Sequence, residues 1–357
     1  MDDFRLEKQL ATIRFLRIHG AKIVIIGHLG RPVAGVCDSK YSLLPIVKYL
    51  EKKLNSKIKF VTGEIDIKSI SVTANMNEGD IVVMDNLRFN RGEKTNSRKF
   101  SKTLASLADI YVNDAFANSH RKHASMEGVK MHLPSYAGLL LEQELKNLQL
   151  LLKPQKPLVV ILGGSKIVTK LPLVKQFKNK ADRIIIGGAL ANNFLQARGY
   201  EIGKSLTDKK SLSFAKSYKK NNILLPIDVV VAESNQDHVG VIKKLKDVAK
   251  DDYIFDIGPE TVRLYESVVN GAKSIIWNGP MGFFETKAFR HGSIAISKAV
   301  ARRSKGRCFG VVGGGETVEV LRMTKLVNNV DWVSTGGGAM LSFLGGEEMP
   351  GLSKIVR

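Results

Sequence analysis

Short apolar strands that run directly into glycines recur in the second half of this chain and limit the folds open to it. The clearest case is residues 308–321, CFGVVGGGETVEVL, in which an apolar strand precedes three glycines and an amphipathic stretch. Similar stretches occupy residues 158–166, 183–190, 274–282 and 332–339. Because parallel α/β sheets bind ligands beyond the carboxyl ends of their strands, the repetition predicts one crevice at one edge of a parallel sheet.

Glycines between a strand and a helix suit the binding of phosphate, although such a loop alone is also typical of a tight turn. The lack of a Cβ at residues 313–315 lets phosphate oxygens approach backbone N–H groups, and the helix dipole adds positive charge there. Glu316 and Thr317 could then supply oxygens to the Mg²⁺ that accompanies a nucleotide. Neither GxxxxGK[ST] nor GxGxxG after a strand is present, which disfavours a P-loop protein and a dehydrogenase.

The first half of the chain places an arginine shortly after each of three predicted strands: Arg31, Arg88 and Arg121. One such arginine is most often a surface residue, but three at equivalent strand ends are harder to dismiss. Guanidinium groups hold carboxylate and phosphate oxygens in a bidentate fork, so the pattern predicts a basin for a small, doubly anionic substrate. The nearby His28, His120 and His123, taken singly, are better interpreted as capping or core residues.

A length of 357 residues suits two domains, and residues 154–157, which begin and end with proline, are the predicted boundary between them. Beyond this break strands alternate with helices, which predicts a doubly wound parallel sheet with right-handed crossovers. The strands predicted in the first half are residues 22–27, 57–61, 80–84 and 110–113. Those predicted in the second half are residues 158–162, 183–186, 223–230, 253–257, 273–277 and 308–312.

The net charge of +21, from 55 Lys and Arg against 34 Asp and Glu, raises the hypothesis of a nucleic-acid partner. The basic residues are spread along the chain without interleaved aromatics, as at Lys209 and Lys210 or Lys243 and Lys244. Solvated faces are therefore the favoured interpretation, and we expect no nucleic-acid partner. A positive field would also steer an anionic substrate.

The two cysteines, Cys37 and Cys308, form no metal-binding spacing and predict a reduced, cytoplasmic protein. No apolar run approaches the ~18 residues of a transmembrane helix. The sequence also shows no signal-peptide core, so we expect no membrane association.

Eight motifs, in order, resemble those of the phosphoglycerate kinase family. They are HLGRP at 28–32, NLRF at 86–89, NDAFANSHRKH at 113–123, LGGSKIVTK at 162–170, DIGPE at 256–260, WNGPMGFFE at 277–285, GGGET at 313–317 and STGGGA at 334–339. The resemblance covers essentially the whole chain. It implies an α/β kinase, typically a monomer, with two doubly wound parallel-sheet (Rossmann-like) domains joined by a helix and hinge whose closure brings the substrates together. The implied parts are a 3-phosphoglycerate domain (1–138), the helix and hinge (139–156), a nucleotide domain (157–343) and a tail packing toward the first domain (344–357).

The resemblance also implies individual site residues. Those for 3-phosphoglycerate would be His28, Leu29, Gly30, Arg31, Arg88, His120 and Arg121. Those for ATP or ADP would be Lys170, Gly187, Gly188, Gly258, Glu285, Gly314, Gly315, Glu316 and Thr317, with Glu316 also binding Mg²⁺ together with the nucleotide phosphates. The catalytic residues would be Arg5, Lys166 and Lys170. Cations suit this reaction because phosphoryl transfer depends mainly on alignment and charge neutralisation.

The sequence departs from the family pattern in four places. Glu316 stands where the family has Asp, Thr169 replaces a common Asp, and residues 117–119 (ANS) replace Gly-Thr-Ala. The fourth departure is that the family's opening strand, with an Asp and an Asn for the glycerate, has no counterpart. We therefore expect a groove where that strand would pack, a loose first domain, weak 3-phosphoglycerate binding and low turnover, with Mg-ATP binding retained.

Three hypotheses follow from the sequence. The leading one is reversible phosphoryl transfer between 1,3-bisphosphoglycerate plus ADP and 3-phosphoglycerate plus ATP, in glycolysis and gluconeogenesis. The alternative is a catalytically impaired nucleotide-binding fragment of that family, which a coupled activity assay would separate from the first. The third is a polyanion binder, which would show steep salt dependence without nucleotide competition.

Overall fold

The computed structural model describes residues 3–356, with the exception of the side chain of Thr169. The side chain at Thr169, one of the departures from the family pattern, thus lies outside the described residues. Contacts divide the chain into unit 1, Met1–Lys146 with Glu348–Arg357, and unit 2, Asn147–Glu347. The division predicted at residues 138, 156 and 343 stays a prediction.

Unit 1 contains two small parallel sheets. Strands β1 (Ile23–Ile25), β2 (Lys59–Val61) and β3 (Ile81–Met84) form one sheet in the order β1-β3-β2. Strands β4 (Tyr111–Asn113) and β5 (Ser135–Ala137) form the other. Among the described residues, β1 and β4 each pair along one edge only. The groove, loose packing and weak glycerate binding expected from the sequence stay predictions.

Helices surround these sheets, and their ends carry the residues that favour helix boundaries. In α3, the Asp66 carboxylate accepts a hydrogen bond from the Ser69 backbone N–H at 3.0 Å, which closes a capping box. At the end of α2, Asn55 adopts a left-handed conformation with φ 47°. The helices are α1 (Phe4–Ile18), α2 (Leu44–Leu54), α3 (Ile67–Ala74), α4 (Arg91–Lys94), α5 (Arg98–Ala105) and α6 (Leu139–Gln149).

The core of unit 1 lies on both faces of β3, whose residues are all buried. Because side chains alternate along a strand, Ile81 and Val83 join one apolar cluster and Val82 and Met84 join another. The first cluster also contains Leu10, Val47, Leu50 and Leu54. The second also contains Leu87, Phe100, Leu104 and Tyr111. Burial on both faces is typical of parallel sheets and makes β3 a rigid support for the residues that follow it.

Unit 2 is built on a parallel six-stranded sheet. Its members, in spatial order, are β14 (Trp332–Ser334), β13 (Phe309–Gly313), β12 (Ser274–Asn278), β6 (Leu158–Leu162), β7 (Arg183–Ile186) and β8 (Ile223–Leu224). The chain order reverses between β6 and β12, where Ser274 lies opposite Leu158. Such a reversal opens a crevice beyond the carboxyl ends of the two strands. The predicted α/β fold is confirmed.

One part of unit 2 differs from the sequence prediction. The single strand predicted at 223–230 is wrong: it is divided into β8 and β9 (Asp228–Ala232), with Pro226 between them. Proline lacks the N–H that a ladder needs. Strand β9 lies between β10 (Val241–Lys244) and β11 (Tyr253–Ile257) in a separate antiparallel sheet. The strand predicted at 253–257 therefore forms, but outside the parallel sheet.

The helices of unit 2 connect these strands. They are α7 (Ile167–Phe177), α8 (Gly188–Ala197), α9 (Lys209–Ser217), α10 (Pro259–Gly271), α11 (His291–Arg303), α12 (Gly315–Met323) and α13 (Gly337–Gly345). Four of them, α7, α8, α12 and α13, begin shortly after β6, β7, β13 and β14 and so place their N-termini at one edge of the sheet. Across the described part of the chain, the helices are all too short or too polar to span a bilayer.

Candidate active site

Basic side chains gather in unit 1 after β1, β3 and β4. The charges of this group lower the pKa of three of its members, His28, Arg88 and Arg121, so the group lies within electrostatic reach of these three side chains. We term it the basic basin; it consists of Arg5, His28, Arg31, Arg88, Arg121 and His123. The convergence of three arginines predicted from the strand ends is therefore present.

The loop after β1 is held by polar side chains that follow β3. The Asn86 side-chain amide donates to the carbonyls of Leu29 at 2.7 Å and Tyr41 at 2.9 Å. Arg88 donates from Nη1 to the carbonyl of Gly30 at 2.5 Å. Gly30 has φ +62°, and a Cβ there would lie 2.5 Å from the Tyr41 ring, so the loop requires glycine at this position. These contacts fix the backbone around Leu29 and Gly30.

His28 is strongly affected by its surroundings. Burial lowers its pKa to about 3, and the charges of Arg88, Arg121, His123 and Arg5 act in the same direction. The imidazole is therefore neutral at physiological pH and can both donate and accept a hydrogen bond. A bound anion would offset the positive potential at this point.

Arg88 is a buried member of the basin and is only 6% exposed. Burial is the largest cause of the lowered pKa of Arg88. The charges of Arg121 and Arg31 lower this pKa further, and the charge of Glu93 partly offsets these effects. The buried Nε of Arg88 has no hydrogen-bond partner in the structure. An unsatisfied buried donor is costly, so this atom is available to an oxygen ligand.

The other members of the basin come from separate elements. Arg5 is exposed in the first turn of α1, and its charge lowers the pKa of Arg121 after the effects of burial and Arg31. His123 Nδ1 lies 3.5 Å from the buried Glu93 Oε1. His120 is partly buried in the loop that follows β4.

Unit 2 contains a cleft of about 450 Å³ at the carboxyl edge of its parallel sheet. Glycine backbone near the starts of α7 and α8 lines part of it, together with four carboxyl groups, among them Glu285 and Glu316. Aromatic rings from β11 and the loop after β12 line another part: Tyr253, Phe255 and Phe283. The cleft thus combines apolar surface for a flat ring system with polar groups suited to phosphates.

Several glycines around this cleft are needed for close packing of backbone on backbone. A Cβ at Gly279 would lie 2.1 Å from the Gly163 carbonyl oxygen, and one at Gly337 would lie 2.4 Å from Gly314 Cα. Gly314 itself has φ +99°. By contrast, a Cβ at Gly315 would meet nothing within 4 Å, so the space in front of the first turn of α12 is open to a ligand.

Three charged groups meet beside the first turns of α7 and α12. Lys166 Nζ lies 3.6 Å from Glu316 Oε1, and both side chains are substantially exposed. Burial lowers the pKa of Lys170 to about 8; the carboxylate of Glu316 opposes this and the charge of Lys166 adds to it. This lysine is therefore close to losing its proton unless further negative charge approaches.

A divalent cation that accompanies a nucleotide needs one or two carboxylates besides the phosphates. Glu316 offers one carboxylate that lines the cleft, and the residues present fit such an ion. The described residues contain no cluster of three or more His, Cys, Asp or Glu for a metal held by protein alone.

Comparison with known proteins places the chain in a family. The family model described as phosphoglycerate kinase matches residues 1–347. The phosphoglycerate kinase of Dictyoglomus turgidum is 41% identical over 362 residues, covering 99% of this chain and 90% of that protein. The chain belongs to the phosphoglycerate kinase family. The enzyme of that name from Wolbachia pipientis subsp. Culex pipiens is 40% identical, covering 98% of this chain and 90% of its own length.

Solved structures of phosphoglycerate kinases match as well. That from Coxiella burnetii has a TM-score of 0.84 at 38% identity, covering 99% of this chain and 91% of that one. The structure from Pyrococcus horikoshii has a TM-score of 0.87 at 29% identity, and the match again covers 99% of this chain and 91% of that one.

The structure brings together part of the residue set predicted from the phosphoglycerate kinase motifs. Gly188, Glu285 and Glu316 line the cleft. Those that do not line it, as far as the described residues define it, are Lys166, Lys170, Gly187, Gly258, Gly314, Gly315 and Thr317. Three of these residues make contacts within the surrounding loops that explain why their residue types are needed there. A Cβ at Gly187 would approach Met281 Sδ and one at Gly258 would approach the Asp228 carboxylate, while buried Thr317 accepts from the Gly279 N–H at 2.6 Å.

Sequence reasoning missed several residues of both regions. In unit 1 it included His120 in the site but interpreted His123 only as a capping or core residue, whereas the charge of His123 acts on His28. In unit 2 it left out the aromatic lining; the consecutive aromatics Phe283 and Phe284 in the motif at 277–285 were an available signal.

The fully buried Asp256 in the cleft wall should make stability depend on pH. Burial raises its pKa from 3.8 to about 8, although the N–H groups of Gly292 and Ile257 donate to its carboxyl group. The folded state therefore keeps this proton to a higher pH than the unfolded state does. The free energy of unfolding should fall as the pH rises from about 4 to 8, by at most ~1.4 kcal/mol per pH unit. Asp256→Asn should flatten this slope in urea denaturation followed at several pH values. Equal slopes for parent and variant would contradict the assignment.

Proposed function

We propose that the chain catalyses reversible phosphoryl transfer between 1,3-bisphosphoglycerate plus ADP and 3-phosphoglycerate plus ATP, as a phosphotransferase acting in glycolysis and gluconeogenesis. The observation that carries the proposal is the basic basin in a chain whose second unit has a nucleotide-sized cleft. Membership of the phosphoglycerate kinase family supports the same reaction. No observation on the described residues favours the alternative of an impaired nucleotide-binding fragment, and measured turnover would exclude it.

The basin is the proposed site for 3-phosphoglycerate. Arg31, Arg88 and Arg121 supply bidentate donors for phosphate and carboxylate oxygens. The unpaired Nε of Arg88 is one such donor. Neutral His28 can bind a hydroxyl or carboxylate oxygen without adding another full charge to an already positive region. Leu29, Gly30 and His120 complete the proposed glycerate site.

The cleft is the proposed nucleotide site. Tyr253, Phe255 and Phe283 offer flat apolar surface for a purine, and Glu285, which also lines the cleft, would accept a hydrogen bond from a nucleotide hydroxyl. Phosphates would lie before the first turn of α12, where Gly314 and Gly315 expose backbone N–H groups and the helix dipole is favourable. Further proposed contacts to the nucleotide are Gly187, Gly188, Gly258, Glu316, Thr317 and Lys170.

In the transfer step the protein neutralises charge and holds groups in line. The carboxylate that leaves the acyl phosphate is a good leaving group, so no nucleophilic side chain is required. Arg5, Lys166 and Lys170 are the proposed catalytic cations that stabilise charge on the transferring group. Mg²⁺ bound by Glu316 and the phosphates would supply further charge neutralisation.

The wider setting also belongs to the proposal. Both cysteines are free thiols, which supports a reduced, cytoplasmic location. We infer a monomer acting on small molecules without nucleic-acid or membrane partners.

Arg88→Ala should raise the KM for 3-phosphoglycerate while leaving nucleotide affinity nearly unchanged. Removal of a charge-assisted hydrogen bond costs about 1.5–3 kcal/mol, which is about ten-fold or more in affinity. Steady-state kinetics with each substrate varied in turn measure both constants. Arg98→Ala is the matched control, because it removes the same charge at the exposed start of α5. Equal losses for both substrates would indicate a folding defect and not a glycerate contact.

Lys170 should take up a proton when the nucleotide binds. The pKa of Lys170 is about 8 in the free protein, and phosphate oxygens should raise it in the complex because they favour the charged form. The affinity for nucleotide should therefore weaken as the pH rises past about 8. Calorimetry of Mg-ADP binding near pH 8, in buffers of different ionisation enthalpy, counts the protons. Lys170→Arg keeps the charge and should abolish the uptake; uptake that persists in this variant would assign the proton elsewhere.

Arg5→Ala should lower kcat more than it changes either KM. The guanidinium is exposed and meets the reacting group chiefly in the transition state, so its interaction energy appears mainly in turnover. Stopped-flow or coupled-assay turnover at saturating substrates tests this expectation. Unchanged kcat would remove Arg5 from the catalytic set.

A further inference from the structure

Lys130 is a buried lysine with a purely intramolecular set of partners. It lies in a short 3₁₀ helix, Gly128–Met131, and is only 6% exposed. Its Nζ donates to the backbone carbonyls of Pro350 at 2.5 Å and Ser353 at 2.6 Å, and to Ser353 Oγ at 3.1 Å. An ammonium group has three donors, so the contacts use all of them on one short segment near the end of the chain.

The same segment lies against the loop that follows β4. The Gly351 N–H donates to the carbonyl of Ser119 at 2.7 Å, and the Asn113 side-chain amide donates to the carbonyl of Gly351 at 2.9 Å. A Cβ at Gly351 would lie 2.6 Å from Ser119 Cα. The contact is close enough to require glycine at position 351, and it packs the segment tightly against the loop that follows β4.

This loop carries one of the arginines of the basic basin. Ser119 is fully buried and also accepts a bond from the Asn113 amide at 3.2 Å. Two residues further on, the Arg121 N–H donates to the carbonyl of Asn118 at 2.9 Å. The backbone that determines where Arg121 points is therefore fixed partly by Gly351.

We propose that Lys130 is a positioning residue for glycerate binding, which acts by holding residues 350–353 against residues 113–121 and so keeps Arg121 in the basic basin. Lys130 itself touches no substrate. The proposal deepens the proposed function above and depends on it for the identity of the ligand.

The segment has a second attachment that does not use Lys130. The Val356 N–H donates to the carbonyl of Ser135 at 2.9 Å, and the Ala137 N–H donates to that of Val356 at 3.0 Å. Loss of the lysine should therefore loosen residues 350–353 while the end of the chain stays attached to β5. Lys130→Met removes three hydrogen bonds and keeps a side chain of similar length, so the variant is expected to fold.

Kinetics of Lys130→Met, Lys130→Arg and a control test the proposal. The control is Lys354→Met, which removes the same charge from an exposed lysine directly after that segment. We expect Lys130→Met to raise the KM for 3-phosphoglycerate about five- to ten-fold, with the KM for ATP within two-fold. Lys130→Arg should restore much of the affinity, and Lys354→Met should match the parent. A folded Lys130→Met with unchanged KM, or with both KM values raised equally, would overturn the proposal.

A second measurement separates this proposal from the proposed function. Amide hydrogen exchange should become faster in residues 113–121 of Lys130→Met but not in unit 2. Gly351→Ala should give the same pattern with Lys130 intact, and the double variant should be less than additive. If the parent chain fails to transfer phosphate, the proposed function fails alone, since the exchange result still decides the role of Lys130. Unchanged exchange at residues 113–121 would refute it.

Discussion

Positive charges held close together without an equal number of acids are the constraint on which the first unit depends. Burial and neighbouring cations lower the pKa of His28, Arg88 and Arg121 together. Such repulsion persists only if the surrounding structure is firm. The buried strand β3, the amide of Asn86 and the Gly351 contact supply this firmness from three directions. A doubly anionic ligand relieves the repulsion that the fold maintains, which ties the stability of the unit to its proposed substrate.

In the second unit, close packing of backbone on backbone determines the shape of the loops around the cleft. Gly163 and Gly279 meet beyond β6 and β12, where the strand order reverses, and Gly314 meets Gly337 beyond β13 and β14. Side chains are excluded at these points, so neighbouring helix N-termini come close together. The result is a concentrated set of N–H donors beside the aromatic wall of the cleft. The proposed anion site thus follows from how tightly the loops pack.

The sheet of unit 2 and the basic basin could be predicted from the sequence because both depend on local residue patterns. Strand-glycine-helix stretches identified the second sheet, and arginines after strands identified the basin. Prediction failed at one local signal that was overlooked, and where distant residues decide the outcome. Pro226 interrupts an otherwise apolar run, and the antiparallel pairing of β11 with β9 depends on tertiary contacts that periodicity does not report. Lys130 could not be recognised at all, because its partners lie more than two hundred positions away.

The return of Glu348–Arg357 to unit 1 has a consequence for how the protein is made. On the ribosome, domains fold as units as they emerge, and all of unit 2 is synthesised before this segment. Through that interval the Lys130 ammonium group, the Asn113 amide and the Ser119 carbonyl await their partners. Unit 1 therefore lacks these contacts until residues 348–356 have been synthesised. The loop that carries Arg121 is among the last parts of unit 1 to gain its contacts.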